Sequence, residues 1–483
     1  MSAALFFGST AHVPGGQPLR AGPLRLWYEA GALRYLRVGS TEVVRMFYAA
    51  VRDERWGTVP ARLEDERIET GPDWFRIGYV AQYREGPIHY TAHLELTGTA
   101  EGTVTVDFRG EARRTFRRNR IGLCVLHPLT EAGRALHVTH PDGRTSAGEF
   151  PRLVVPHQPL RDLRQLAWVL DDATPCTLTL EGETFETEDQ RNWTDASFKT
   201  YGTPLALPFP VEVPAGERLH QRLTLRVRAV TPGVPPETDP VVRLRVLAGC
   251  RPVPDLRHTV AACVAAFAPA ENFAELNRNR PAADDPRPFV SFAIDPQVHL
   301  TDTRTLLENA AAQRDALETA RCFAGGRAVH VGPVALPARN RPGVPEPRQN
   351  SLFGLVWTVL SLRYLAGADS VTFDERALPT RWLRYLLGAF GATGILPSES
   401  PEPLAVDALV LENARGERLA LMANLTAVPR RVEVPGWGRP NRQTRWTGAD
   451  WQAWCENPDG PGWQTEPVEE GVPPYSLVGW WWA

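Results

Sequence analysis

From the first residues to about position 230, apolar and polar positions alternate with a period of two. Leu24-Arg25-Leu26-Trp27-Tyr28, Val104-Thr105-Val106-Asp107-Phe108, Cys176-Thr177-Leu178-Thr179-Leu180 and Leu223-Thr224-Leu225-Arg226-Val227 each read as a half-buried strand. Gly, Pro and Asp separate such runs, and no long helical window intervenes. Many evenly spaced strands predict an N-terminal β-sandwich over residues 1–232. Thr231-Pro232-Gly233-Val234-Pro235-Pro236 reads as the linker that closes it.

Beyond the linker the pattern changes to strand–helix alternation. Val241–Leu247 reads as a strand, and Asp255–Phe267 has helical periodicity. Phe289–Ile294 is a continuous apolar run, as expected for a strand buried on both faces. A helix follows over Thr303–Cys322 with Asp302 as its N-cap, then a strand over Val329–Val334 and an apolar helix over Gln349–Tyr364. A strand over Ser370–Phe373 and a helix over Arg381–Phe390 complete the series. Such alternation predicts a parallel sheet. A full eight-fold barrel takes roughly 250 residues. About five strand–helix units fit in 237–400, so the expectation is a partial (β/α) TIM-type barrel.

From 401 to 483 the β pattern returns in Ala408–Leu411, Leu419–Asn424, Arg431–Val434 and a closing strand over Pro473–Trp480, predicting a C-terminal β-sandwich domain. The fold class is therefore multidomain α and β. A length of 483 residues agrees with about three domains.

Composition narrows the chemistry. Hydrophobic residues make up 43% and charged residues 23%, ordinary globular values. A net charge of −3 leaves no broad basic surface for nucleic acid or an anionic membrane. Lys199 is the sole lysine, so any Schiff base would have to use it. The six cysteines are scattered without metal-ligand or disulfide spacing, so they are expected to be reduced and mostly buried. The N-terminus lacks a basic region followed by an apolar stretch, and no apolar run reaches the ~18 residues of a membrane helix, so a cytoplasmic location is expected. Signatures of serine hydrolases, P-loop enzymes, Rossmann dehydrogenases and zincins are missing, and no metal or cofactor is expected. Fifteen tryptophans suit a protein that stacks flat rings on sugars, although most are expected in cores.

Four strings carry candidate chemistry. In Asn272-Phe273-Ala274-Glu275-Leu276-Asn277-Arg278-Asn279-Arg280-Pro281, Glu275 suits general acid–base work, with Asn277 and Arg278 on hydroxyls or a carbonyl. Structural pairing of Glu275 with Arg278 or Arg280 is the alternative. In Phe373-Asp374-Glu375-Arg376, Glu375 could face Glu275 across the sheet mouth, and two carboxylates in one pocket have their pKa values pushed apart. In Ile294-Asp295-Pro296-Gln297-Val298-His299, His299 could orient a substrate or stabilise developing charge, while Arg348 in Pro347-Arg348-Gln349 could hold a substrate oxygen. The fourth string, Glu186 to Tyr201, contains Asn192, Trp193 and Lys199. It is too aromatic for a solvated loop and reads either as a loop that reaches the barrel mouth and helps form the pocket or as a domain–domain interface.

Asn119–Pro128, Pro156-His157-Gln158-Pro159, the loop from Glu188 to Tyr201, Asn272–Pro281, Asp295–His299 and Pro347-Arg348-Gln349 through Leu352-Phe353-Gly354 resemble the D-apionate lactonase family in order along nearly the whole chain. The resemblance implies a β domain, a TIM barrel and a C-terminal β domain. It implies hydrolysis of D-apionolactone to D-apionate, with Glu275 and Glu375 as a glycosidase-like carboxylate pair and a small sugar lactone or sugar acid as ligand. The middle of this chain is shorter than the family's. Two alternatives stay open at this point: a glycoside hydrolase using the same carboxylates, and a non-catalytic sugar-acid-binding or scaffold protein. A barrel with open strand edges also invites a homodimer, or cover by the flanking domains.

Overall fold

In the strand Pro175–Glu181 the side chains of Cys176, Leu178 and Leu180 point inward and those of Thr177 and Thr179 outward, the pleat expected of a sheet with one buried face. A computed structural model describes residues 3–171, 173–228, 241–256, 272–339, 343–458, 465–469 and 471–483. Two compact units account for them.

One unit holds Gly15–Gln190 and the chain from Ser197 to the end of the β region. It contains two nine-stranded antiparallel sheets. Phe116–Pro128 lies at the centre of the first, paired with Thr41–Asp53 on one side and Ser197–Tyr201 on the other. The second runs from Thr145–Glu149 at one edge to Ala61–Thr70 at the other. Leu33, Val44, Leu123 and Val125 from the first sheet and Ile77, Phe108, Leu178 and Leu225 from the second share one buried core, as the sandwich expectation requires. Gly122 shows why its string reads as it does. Its φ is +139°, and a Cβ there would lie 2.2 Å from Gln221 Oε1, the atom that accepts the Leu123 N–H at 2.7 Å.

The other unit comprises the N-terminal residues to Pro14, the segment Arg191–Ala196 and the described chain beyond the linker. Its parallel sheet is smaller than expected. Asp255–Leu256 pairs with Ser370–Phe373, which pairs with Ala328–Val334, which pairs with Phe289–Ile294. A single parallel bridge then joins Asn272 to Ala293. The first strand thus pairs with the last, as in the ring of a barrel, and the helices Thr303–Asn309, Ala312–Phe323, Leu352–Tyr364 and Leu378–Phe390 follow or connect the strands.

Two expectations change here. Asp255–Leu256 is a strand rather than the start of a helix, and the rest of Asp255–Phe267 lies outside the described residues, as does the proline-rich linker. Val241–Leu247 is not a barrel strand. It divides into Val241–Arg243, which pairs with Arg431–Glu433, and Arg245–Val246, which pairs with Ser398–Glu399. Alternation specifies which face is buried but not which partner is chosen.

The C-terminal sheet has six strands, with Val406–Asn413, Arg418–Asn424 and Ser476–Trp482 at its centre. One end incorporates Arg251–Pro252 and Ala392–Leu396. The N-terminal helix Ala3–Phe7 buries Phe6 and Phe7 against Phe353 and Tyr475. Cys124 and Cys176 are buried, but Cys250 and Cys322 are exposed, against the expectation of mostly buried thiols. No described helix is long and apolar enough to cross a membrane.

Candidate functional site

Parallel strands of an α/β unit present their following loops at one end, where catalytic groups gather. The Phe289–Ile294 strand runs directly into Asp295, Pro296 and Gln297. Gln297 Nε2 donates to the Leu336 carbonyl at 2.6 Å, just past the neighbouring Ala328–Val334 strand, and to Glu346 Oε2 at 2.8 Å. The Asp295 carboxylate accepts the Gln297 N–H at 3.1 Å and the Arg339 N–H at 3.2 Å. Burial raises the Asp295 carboxyl above its ordinary range; those two N–H groups oppose the shift, and the nearby Asp195 charge adds to it.

Arg191–Ala196 lies across these strand ends. Thr194 Oγ1 donates to the Asp295 carbonyl at 3.0 Å. Asn192 Oδ1 accepts from Asn277 Nδ2 at 2.8 Å, and Asn277 Oδ1 in turn accepts from Arg280 Nε at 3.0 Å and Nη2 at 2.7 Å. The Arg278 guanidinium stacks over the Trp193 ring at 5.2 Å, and that ring meets His299 edge-on at 6.4 Å between centroids. Asp195 Oδ2 lies 2.5 Å from His299 Nδ1, and Asp195 Oδ1 accepts from Asn309 Nδ2 at 2.8 Å. Arg191 is fully enclosed and pairs with Asp315 at 3.0 Å.

Five of the residues singled out from the sequence therefore meet: Asn192, Trp193, Asn277, Arg278 and His299. Glu275 shares the short helix Phe273–Arg278 with two of them, one turn before Arg278. Its Oε2 is enclosed without a hydrogen-bond partner, and the predicted structural pairing with Arg278 or Arg280 is not made: Arg280 turns to Asn277 and Arg278 to Trp193.

The remaining three lie elsewhere. Glu375 pairs with Arg384 at 3.3 Å and lines an open cavity of about 440 Å³ with Thr380, Arg381, Arg384 and Tyr385. Arg348 is 2% exposed and its fork grips Glu346, Nε to Oε1 at 2.6 Å and Nη2 to Oε2 at 2.8 Å. Its Nη1 donates to the Thr301 carbonyl at 2.9 Å, so Arg348 braces the strand-end loops. Lys199 belongs to the sandwich unit and pairs with Glu188 at 3.4 Å.

Sequence reasoning missed Asp195 and Asn309. Asp195 stood in a singled-out string but shared its polarity with a dozen neighbours. Asn309 did carry a signal, since asparagine is a poor helix residue and occurs within a helical run rich in Ala, Leu, Glu and Gln. Among the described residues, no group of three or more His, Cys, Asp or Glu side chains is arranged to hold a metal ion.

Comparison with known proteins places the chain in a family. Models of three D-apionate lactonase domains match in order: the N-terminal domain over residues 4–230, the TIM barrel domain over 252–380 and the C-terminal immunoglobulin-like domain over 403–478. A protein of Brucella anthropi named D-apionate lactonase is 37% identical over 212 residues, 43% of this chain. The matched stretch spans 35% of that relative's length. Likeness to solved structures is slight. A galactose mutarotase-like protein from Lactobacillus casei shares 10% identity at a TM-score of 0.31, covering 44% of this chain and 99% of its own. The GH51 arabinofuranosidase from Xanthomonas axonopodis pv. citri shares 12% at a TM-score of 0.29, covering 40% of this chain and 52% of its own. With all three of its domains matched in sequence order, the chain belongs to the D-apionate lactonase family.

Proposed function

We propose that this protein hydrolyses a sugar lactone of the D-apionolactone type to its open-chain acid. The observation that carries the reading is Glu275: a carboxyl at the strand ends, one oxygen enclosed and unpartnered, on the same helix as Asn277 and Arg278 and in a chain of the lactonase family. Water adds to the lactone carbonyl, the tetrahedral oxyanion forms, and the ring C–O bond breaks as the ring oxygen gains a proton. Glu275 is suited to give that proton, and Arg278 to face the carbonyl oxygen. Trp193 offers the ring surface that a small polyol ring needs, and the buried Asn192–Asn277 pair ties its segment to the Phe273–Arg278 helix. Glu375 is the second carboxyl of the reading, although its Arg384 partner and its own cavity favour Glu275 as the residue that acts on the ring oxygen.

The reading places the reaction in the cytoplasm, supported by five free cysteines among the described residues, two of them exposed. A homodimer through the open sheet edges belongs to the same reading and is checked by mass at native concentration.

The test is proton release on mixing the protein with D-apionolactone and a panel of aldonolactones. Turnover of D-apionolactone that falls about 100-fold or more in Glu275→Gln supports the reading. Full activity in both Glu275→Gln and Glu375→Gln would remove the carboxylates from the mechanism. Cleavage of aryl glycosides instead of lactones would reassign the protein as a glycosidase.

A further inference from the structure

Building on the lactonase reading, we infer that His299 is the general base that activates water in this site, and that Asp195, held by Asn309, is the positioning residue that sets its proton.

The geometry is that of an imidazole oriented from behind. Asp195 Oδ2 meets His299 Nδ1 at 2.5 Å, with the two side chains 5% and 10% exposed. A carboxylate at Nδ1 holds the proton there and makes Nε2 the basic nitrogen of the neutral ring. The other carboxylate oxygen accepts from Asn309 Nδ2 at 2.8 Å, so Asp195 cannot rotate away without losing a second bond. Asn309 is itself fixed. Its Nδ2 also donates to the Pro296 carbonyl at 3.0 Å, and its Oδ1 accepts the Ala196 N–H at 2.9 Å. These contacts tie the helix Thr303–Asn309, the strand-end loop carrying His299 and the Arg191–Ala196 segment to one carboxylate. Thr194, next to Asp195, has a φ of +62°, a left-handed backbone that a β-branched residue adopts only where its surroundings enforce it. A histidine needed only to fill space would not call for a buried carboxylate and an asparagine behind it, since burying that charge is costly.

His299 Nε2 takes a proton from water as the water oxygen bonds to the lactone carbonyl carbon, and the carbonyl π pair moves onto oxygen. Collapse of the oxyanion re-forms the carbonyl and expels the ring oxygen, which is protonated by Glu275. The imidazolium then returns its proton to solvent, and the new carboxylic acid ionises and re-protonates Glu275. The sum is lactone plus water giving carboxylate, hydroxyl and one released proton. Asp195 stabilises the transient imidazolium without accepting its proton.

The test compares wild type, Asp195→Asn and His299→Ala on D-apionolactone across pH. Charged groups on the neighbouring elements, Asp295, Arg278, Arg339 and the Glu346–Arg348 pair, are the same in all three proteins. In Asp195→Asn we expect kcat to fall about 10²–10⁴-fold with KM changed little, and the ascending limb of the pH–rate profile to move to lower pH, because the imidazole has lost the anion that favours its protonated form. In His299→Ala, added imidazole is expected to restore part of the lost rate, which a purely structural histidine would not allow; this arm remains informative should Asp195→Asn fold poorly. Asp195→Asn with unchanged kcat and an unmoved limb, or His299→Ala without imidazole rescue, on a wild type that hydrolyses the lactone, overturns the dyad and leaves the lactonase reading standing. A wild type inactive on every lactone removes that reading and the dyad with it.

Discussion

Glu131 shows how far one buried side chain can set a pH dependence. It is 1% exposed, and burial pushes its carboxyl from 4.5 up to about 7, with Arg134 at 2.6 Å opposing the rise. The folded pKa is therefore raised above the unfolded one. The unfolded chain gives up this proton first, so the folded state holds its full stability below about pH 4.5 and loses some as pH climbs to 7. The loss is on the order of 3 kcal/mol by pH 8, since each tenfold difference in proton affinity between the two states is worth about 1.4 kcal/mol. Arg134 keeps Asp171 at 3.1 Å and the Val169 carbonyl at 2.8 Å whatever stands at 131. Glu131→Gln should accordingly raise the urea midpoint at pH 8 and leave it nearly unchanged at pH 4. An equal difference at both pH values would mean that the carboxyl is not the cause. At this same scale the candidate site was partly legible. His299 stood out because it follows a buried strand run, Asn277 and Arg278 because they share Glu275's string at an expected strand end, and Asn192 and Trp193 because their polar, aromatic stretch is unlike a strand or a simple turn. Asp195 and Arg348 show the limit: composition does not reveal which carboxylate orients a histidine, or that an arginine's fork is filled by a glutamate two residues before it.

Elements were legible where one physical signal dominated. The helix Leu352–Tyr364 buries every residue except Arg363, which matches an apolar run without a polar face. It starts at Leu352, three residues after the predicted Gln349, because Ser351 caps it by accepting the Gly354 N–H. Leu378–Phe390 instead starts before the predicted Arg381, with Pro379 in its first turn, a position that proline favours. What pattern could not supply was the reason for Gly354. A Cβ there would lie 2.2 Å from the Gln349 carbonyl oxygen and 2.5 Å from that of Arg348, both backbone atoms. Alanine would ordinarily gain about 1 kcal/mol in a helix. Here the clash must displace the turn that carries Arg348 and its Glu346 partner, and overpacking of this kind costs about 1–3 kcal/mol. Gly354→Ala should therefore lower the melting temperature and Ser351→Ala should lower it by less. A more stable Gly354→Ala would show that the turn yields freely.

At the scale of the molecule, the two compact units are not two stretches of sequence. The sandwich unit is interrupted by Arg191–Ala196, which is counted with the barrel-type unit, as are the first residues through Phe6 and Phe7. Neither excursion is visible in hydrophobic period. A pair of phenylalanines near the start of a chain looks the same whichever core receives it, and a polar aromatic loop does not state its neighbour. The excursion has an energetic consequence. Arg191 is 0% exposed and Asp315, on the helix Ala312–Phe323, is its ion partner. Removing one member of a buried pair leaves the other uncompensated and costs about 3–5 kcal/mol. That cost should fall on the unit containing Asp315, although residue 191 stands in the middle of the sandwich sequence. In Arg191→Met, deuterium uptake should rise in Ala312–Phe323 and Phe289–Ile294, with the sandwich strands Phe75–Glu85 and Ile88–Gly98 unchanged. Uptake confined to Phe185–Asp189 and Ser197–Tyr201, the strands that flank the excursion in sequence, would instead mean that Arg191 stabilises the sandwich and that the six residues are only a loop of it.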